Sequence, residues 1–258
     1  MNNSTASPQI IGVIPARWAS SRFPGKPLFR LCGKPLLEHV CARARQCEQL
    51  DQIVVATDDE RIEKAAQSFG MEVVMTSAEH PTGTDRIAEA AARFPSATHF
   101  INIQGDEPLI EPALVDQLAS QLGADASIDL ITAASPLQDT AQLQDPNIVK
   151  VVLNACNDAL YFSRSPIPFA RVADSVQPLR HIGLYGYRSD FLRDFVQWPP
   201  APLEIAESLE QLRALHHGAR IRVVLTDHEA IGLDTPEQVS LLENLLTRLH
   251  ETQNTTQP

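Results

Sequence analysis

Short apolar runs alternate with amphipathic stretches along the first half of the chain. Gln9–Ile14 (QIIGVI), Gln52–Ala56 (QIVVA), Glu72–Met75, Thr98–Ile103 and Leu130–Ala133 are rich in β-branched residues and too short for buried helices, so they predict strands. Between them Leu36–Glu48, Thr57–Phe69, Thr84–Phe94 and Pro112–Leu122 predict helices. The first run stops at Pro15, and Pro15–Pro35 holds Pro24, Gly25 and Pro27, which predicts a long ordered loop. Strands alternating with helices at this spacing predict βαβ units around a parallel sheet with right-handed crossovers. Ligands in such sheets sit beyond the carboxyl ends of the strands. The loops after Ile14 and after Ile103 both begin there, so both could line one crevice.

The texture changes beyond about residue 145. Ile148–Leu153 and Ala159–Ser163 predict strands joined by a turn at Asn154–Asp158, with another strand at His181–Tyr187. Leu203–His217 predicts a helix, Arg220–Thr226 a strand and Thr235–Glu251 a closing helix. That last helix has a marked start, with Thr235 as N-cap, Pro236 at the first position and Gln238 three residues after the cap. The expected division is an α/β core over 9–145 and a second, β-containing region over 146–250 packed on it, with disordered tails at 1–8 and 252–258.

Composition narrows the class. With 43% hydrophobic and 21% charged residues the chain is globular rather than disordered. No apolar run reaches the roughly 18 residues of a membrane span, and the polar start does not read as a secretory signal. Cys32, Cys41, Cys47 and Cys156 form no CxxC pattern, which argues against a disulfide framework or zinc site and for a reducing cytoplasm. A net charge of −11 excludes a general binder of nucleic acid or anionic membrane. Yet Met1–Leu37 has no acidic residue and holds Arg17, Arg22, Lys26, Arg30 and Lys34, a local cation cluster suited to a small anion.

Five motifs could carry chemistry. Pro15–Pro27 is neither a P-loop nor a GxGxxG. It offers Arg17, Arg22 and Lys26 with Ser20 and Ser21, which suits phosphate, although a solvated surface loop reads the same way. In Gln104–Pro108, Asp106 ends an apolar strand and could hold Mg²⁺ together with substrate phosphates, or simply sit in a polar turn. In Gly232–Glu237, Asp234 stands beside a helix N-terminus. In His80–Arg86, Gly83 permits close backbone approach and Arg86 could meet phosphate or base, while the plain alternative has Thr84 capping a helix. Arg164, with His181 and Tyr185 on a later strand, could clamp a carboxylate, whereas Glu210 and Gln211 read by default as an exposed helix face. No nucleophile elbow or HExxH is present.

The stretches IPARWASSRFPGKPL, GKPLLEHV, VATDDERI, TGTDRIAEA, INIQGDEPLI, ALYFSRSPIP, RHIGLYGYR, SLEQLRAL and GLDTPE follow one another across about residues 10–240. In them the chain resembles the CMP-Kdo synthetase (3-deoxy-manno-octulosonate cytidylyltransferase) family. The resemblance implies a nucleotidyltransferase α/β fold, Rossmann-like and GT-A-like, with a mixed, mostly parallel sheet and a smaller β-containing part that makes a homodimer. It implies that CTP and Kdo give CMP-Kdo and diphosphate, with Mg²⁺, in the cytoplasm, for lipopolysaccharide assembly, without nucleic-acid or membrane partners. By motif position, Pro15, Ala16, Arg17, Arg22, Lys26, Gly83, Arg86 and Gln104 would bind CTP. Lys26, Asp106 and Asp234 would be catalytic, the two aspartates as Mg²⁺ ligands, and Arg164, His181, Tyr185, Glu210 and Gln211 would contact the sugar acid. Two departures stand out: Trp18 where the family usually has Tyr, and a short segment Asp227–Ile231 before GLDTPE. The alternatives are a cytidylyltransferase for an 8-amino Kdo analogue or a sialic acid, a non-catalytic nucleotide-binding regulator, and a glycosyltransferase.

Overall fold

The structure is a computed structural model that describes residues 8–19, 23–137, 139–172, 175–228, 231–233 and 235–255. The chain runs through β1 (Ile10–Ala16), a 3-10 turn (Lys26–Leu28), a hairpin of β2 (Arg30–Leu31) and β3 (Lys34–Pro35), and α1 (Leu36–Ala44). It continues with β4 (Gln52–Thr57), α2 (Glu60–Ser68), β5 (Glu72–Met75), α3 (Gly83–Ala91), β6 (His99–Asn102), α4 (Pro112–Ala124) and β7 (Leu130–Pro136). There follow α5 (Thr140–Gln144), β8 (Lys150–Leu153), β9 (Ala159–Ser163), β10 (Leu179–Arg188), α6 (Ser189–Phe195), α7 (Pro202–Glu207) and α8 (Gln211–His216). β11 (Ile221–Leu225), a second 3-10 turn (Pro236–Gln238) and α9 (Val239–Thr255) complete it. These elements gather into two compact units, each discontinuous in sequence.

The first unit comprises Ile11–Pro95, Asn102–Ala113 and Ala230–Pro258. Here β1, β4 and β5 are parallel neighbours, with Ile14 opposite Val55 and Val55 opposite Val73. Val13, Ile14, Val54 and Val55 are fully buried, as expected of parallel strands covered on both faces. β1 does not stop at Pro15: Pro15 and Ala16 keep register with Ala56 and Thr57. α1 ends at Ala44, short of the expected Glu48, because Gln46 and Cys47 bond back to the carbonyls of Arg43 and Ala44 in a tightened last turn. The expected loop over 15–35 contains the first 3-10 turn and the β2–β3 hairpin. α9 closes a small core of Leu31, Leu36, Leu233, Leu242 and Leu246. It runs to Thr255, through part of the tail expected to be disordered; residues 1–7 and 256–258 lie outside the described residues.

The second unit comprises Met1–Ile10, Ser96–Ile101 and Leu114–Glu229. Its strands run in the order β11-β7-β10-β6, and β8 pairs with both β10 and β9. β11 is parallel to β7, but β10 is antiparallel to β7 and β8 antiparallel to β9. The sheet is thus mixed, as expected, and β8 and β9 are joined by the expected short turn, which only antiparallel strands allow. The helix expected over 203–217 breaks into α7 and α8 at Ser208, whose φ of 51° is left-handed. α5 and α6 were not expected from the pattern. No described helix is long and apolar enough to cross a membrane.

A buried ion pair joins α7 to α8. Arg213 donates to both carboxylate oxygens of Glu204, at 2.5 and 2.9 Å, and Glu204 also accepts the Ala201 N–H at 2.9 Å. Burial raises the Glu204 carboxyl, but the bonds from Arg213 and Ala201 outweigh it and hold it below the ordinary range. The unfolded chain therefore binds this proton more readily. The pair's contribution is complete above the unfolded carboxyl's titration range and is lost as pH falls through the lower folded value. Glu204→Gln leaves Arg213 buried and uncompensated, and is expected to destabilise by about 3–5 kcal/mol. Denaturant titrations from neutral to acidic pH check both points, since the variant's deficit should shrink towards acid.

Candidate active site

In the first unit, two strand ends and one helix start converge. β1 ends in Pro15 and Ala16 and is followed by Arg17; the loop after β6 supplies Gln104, Gly105 and Asp106; α3 begins at Gly83 and places Arg86 one turn in. With Lys26 from the first 3-10 turn, and with His80 and Thr82, they line an open pocket of about 240 Å³. Pro15, Ala16, Arg17, Lys26, Gly83, Arg86 and Gln104, singled out from sequence, are thus brought together. Arg22 and Asp234 lie outside the described residues.

The pocket is built by close backbone approach. A Cβ on Gly105 would stand 2.6 Å from the carbonyl oxygen of Pro15, so only glycine lets the two strand ends pass this closely. α3 is capped by Thr82, not Thr84: Thr82 Oγ1 accepts from the Asp85 N–H at 3.1 Å and Asp85 reaches back to the Thr82 N–H at 3.2 Å. Gly83 is thereby the first residue of a helix whose N-terminal N–H groups and dipole favour an anion.

Its charges are arranged around Lys26 and Asp106. Lys26 Nζ lies 2.5 Å from Asp106 Oδ2, with both residues part-buried. Arg86 is almost wholly buried, donates to Thr76 Oγ1 at 2.5 Å and lies 3.2 Å from Asp58. Burial lowers the Arg86 guanidinium from its usual value; Asp58 opposes this, and neighbouring Arg17 adds to it. His80 meets Glu89 at the rim. Glu89 is held below the carboxylate range, first by the Ser77 N–H and then by His80.

A divalent cation of the Mg²⁺ type takes one or two carboxylates and completes its shell with water and substrate phosphates. Asp106 offers carboxylate oxygens inside the pocket. Leu233, the residue before Asp234, donates its N–H to the Asp106 carbonyl at 2.9 Å, and a Cβ on Gly232 would stand 3.5 Å from the same oxygen. Among the described residues no cluster of three or more His, Cys, Asp or Glu forms, and a cation liganded by phosphates does not need one. The donor set fits.

The second unit holds the other expected residues, and among them it places His181 beside Tyr185. Thr132 on β7 fills a bulge in β10, donating towards the carbonyls of Ile182 and Leu184 and lying 2.9 Å from His181 Nε2. His181 packs edge-on against Phe162 at 4.9 Å and beside Tyr185 at 5.4 Å. Burial pushes the His181 imidazole down to about 3, so it is neutral near pH 7 and acts as a hydrogen-bonding group rather than a cation. Burial, then Tyr187 and Glu210, raise the Tyr185 phenol well above its usual value. Gln211 is not on an exposed face: it starts α8, is 5% exposed, and its buried Nε2 has no hydrogen-bond partner among the described residues. The break at Ser208 turns it inward.

Arg164 is held more firmly than sequence suggests. Its Nε, Nη1 and Nη2 donate to the carbonyls of Glu207, Pro146 and Ser208 at 2.6, 2.9 and 3.3 Å. Among the described residues these bonds take three of its five N–H groups, which leaves two for a ligand. Glu207, missed in the sequence, accepts from Ser163 Oγ at 2.6 Å and the Arg164 N–H at 2.9 Å. Buried Lys150 donates to the Arg164 carbonyl at 2.5 Å. No motif marks Glu207 or Lys150; only their contacts do. His80 and Gly105 stand inside quoted motifs, but their part in the pocket was not read.

The family model described as "Cytidylyltransferase" matches residues 11–221. A 3-deoxy-manno-octulosonate cytidylyltransferase of Geobacter metallireducens is 48% identical over 251 residues, covering 93% of this chain and 98% of its own length. One of Syntrophotalea carbinolica is 50% identical over 243 residues, covering 91% and 97%. The solved structure of a CMP:2-keto-3-deoxy-manno-octonic acid synthetase complexed with CTP superposes with a TM-score of 0.90 at 42% identity, covering 93% of this chain and 99% of that one. A cytidylyltransferase from Leptospira borgpetersenii, at 16% identity and TM-score 0.65 over 93% and 87% of the two chains, shares the fold.

Proposed function

Because the chain belongs to the 3-deoxy-manno-octulosonate cytidylyltransferase family, we infer that it joins CTP and Kdo into CMP-Kdo with release of diphosphate. The observation that carries the reading is the pocket where Arg17, Lys26 and Arg86 face Asp106 at the ends of β1 and β6. A sugar hydroxyl attacks the α-phosphorus, an O–P bond forms, the bond from the α-phosphorus to the bridging oxygen breaks, and the hydroxyl proton leaves. Both substrates are anions and repel. Arg17, Lys26, Arg86 and the start of α3 offset that repulsion and stabilise the charge that grows on the leaving diphosphate. Holding the hydroxyl in line with the α-phosphorus supplies much of the remaining acceleration.

Mg²⁺ belongs to the same reading: Asp106 and Asp234 would hold it, and when bound it would screen the phosphates and polarise the α-phosphoryl group. Arg164, His181, Tyr185, Glu210 and Gln211 form the sugar-acid site, with neutral His181 donating or accepting a hydrogen bond and the two open N–H groups of Arg164 meeting the carboxylate. A cytoplasmic homodimer that feeds lipopolysaccharide assembly completes the proposal and rests on the family resemblance.

Diphosphate release from CTP, ATP, GTP or UTP with Kdo, its 8-amino analogue or a sialic acid tests the assignment. Release with CTP and Kdo alone is expected; release with a sialic acid instead, or none at all, overturns it. Arg164→Ala is expected to raise the KM for Kdo at least about tenfold, the loss of one charge-assisted bond, with little change in the KM for CTP. Equal rises in both would remove Arg164 from the sugar site.

A further inference from the structure

The segment after β1 carries Arg17 and leads into Lys26, and its described residues, 17–19 and 23–25, form no helix or strand. Its described ends are tied together. The Gly25 N–H donates to the Trp18 carbonyl at 3.1 Å. Gly25 has a left-handed φ of 71°, and a Cβ there would stand 2.9 Å from the Trp18 ring. Trp18 therefore packs directly on the residue that precedes Lys26.

The same ring is gripped from α2. Arg61 Cζ lies 3.4 Å from the Trp18 ring centroid. Arg61 is itself fixed by Asp59, the N-cap of α2, which accepts its Nε at 3.0 Å, its Nη2 at 2.6 Å and its backbone N–H at 2.9 Å. Indole is the strongest of the aromatic faces for a cation, so Trp18, the departure from the usual Tyr, suits an arginine partner. Arg61 does not line the pocket.

We propose that Arg61 is a positioning residue for the phosphate-binding loop, acting through Trp18 to hold Arg17 and Lys26 ready for a nucleoside triphosphate. The proposal rests on reading the pocket as the CTP site. Like charges gathered there repel when no anion is bound, and a loop that relaxes outwards must be re-ordered at the expense of affinity. The Arg61–Trp18 stack restrains it beforehand. The Arg61 side chain is 55% exposed but that of its partner Asp59 only 17%, so Arg61→Lys, which keeps a cation beside Asp59, is needed alongside Arg61→Ala.

Arg61→Ala, Arg61→Lys and Lys64→Ala would be compared with the parent enzyme by direct CTP titration and by the two KM values. Lys64 lies on the same helix, 74% exposed and paired with Glu60, so it controls for simple loss of charge. Arg61→Ala is expected to raise the Kd and KM for CTP about three- to fivefold, the size of an exposed cation–π contact. The KM for Kdo should not move, Arg61→Lys should recover most of the loss, and Lys64→Ala should match the parent. Unchanged CTP binding in Arg61→Ala, an equal rise with Lys64→Ala, or parallel rises in both KM values would each overturn the positioning role. If the parent enzyme itself fails to bind CTP, the nucleotide reading falls and this proposal with it.

Discussion

Asp106→Asn is expected to lower kcat by about a hundred- to a thousandfold, the scale of removing one preorganised charge from an active site, while the protein folds and still binds CTP. Asparagine keeps the shape of the side chain and loses its charge. Lys26, 2.5 Å from Asp106 Oδ2, then loses this carboxylate partner and can turn to a phosphate. CTP affinity measured without a divalent cation should therefore hold or tighten while turnover collapses. Lys26→Met removes the cation instead, so CTP binding should weaken. Isothermal titration with and without Mg²⁺, alongside steady-state kinetics, separates the two. Turnover near the parent value in Asp106→Asn at saturating Mg²⁺ would withdraw the metal role from Asp106.

Gly105→Ala should damage both stability and catalysis. The new methyl group would meet the Pro15 carbonyl oxygen at 2.6 Å, and a backbone atom in a paired strand cannot swing aside. Relief requires the ends of β1 and β6 to separate. Overpacking of this kind costs about 1–3 kcal/mol, and a displacement of about 1 Å at the reacting groups can cost a hundredfold in rate. Gly83→Ala is the informative contrast. There a Cβ meets only Pro15 Cγ at 3.9 Å, so the fold should be unharmed and only CTP binding should suffer. Thermal melts and CTP titrations of both variants check the distinction; a Gly105→Ala protein with the parent's melting temperature and kcat/KM would contradict it.

The first unit was largely legible in the sequence because its strands are buried on both faces. Val13, Ile14, Val54 and Val55 stand in unbroken apolar runs, and the chemistry follows directly after strand ends. Pro15 misled the boundary of β1, since a strand's last positions can do without a donor. Thr84 was named as cap where Thr82 caps, because only the reciprocal bond from Asp85 distinguishes two threonines so close in sequence. The second unit was less legible. Its helix break depends on one left-handed residue, Ser208, which no glycine announces, and with it went the burial of Gln211. Glu207 and Lys150 act on Arg164 across long sequence separations, which periodicity cannot register.

The leucine core beneath α9 has a consequence for how the enzyme comes into being. Leu31 and Leu36 leave the ribosome well ahead of Leu242 and Leu246, which cover them, and ahead of Glu243, which bonds Cys32 across 211 positions. Until α9 is made, that greasy patch has no lid. The β2–β3 hairpin thus matures only once α9 has been made, and a ribosome stalled ahead of α9 would present a sticky, chaperone-dependent nascent chain.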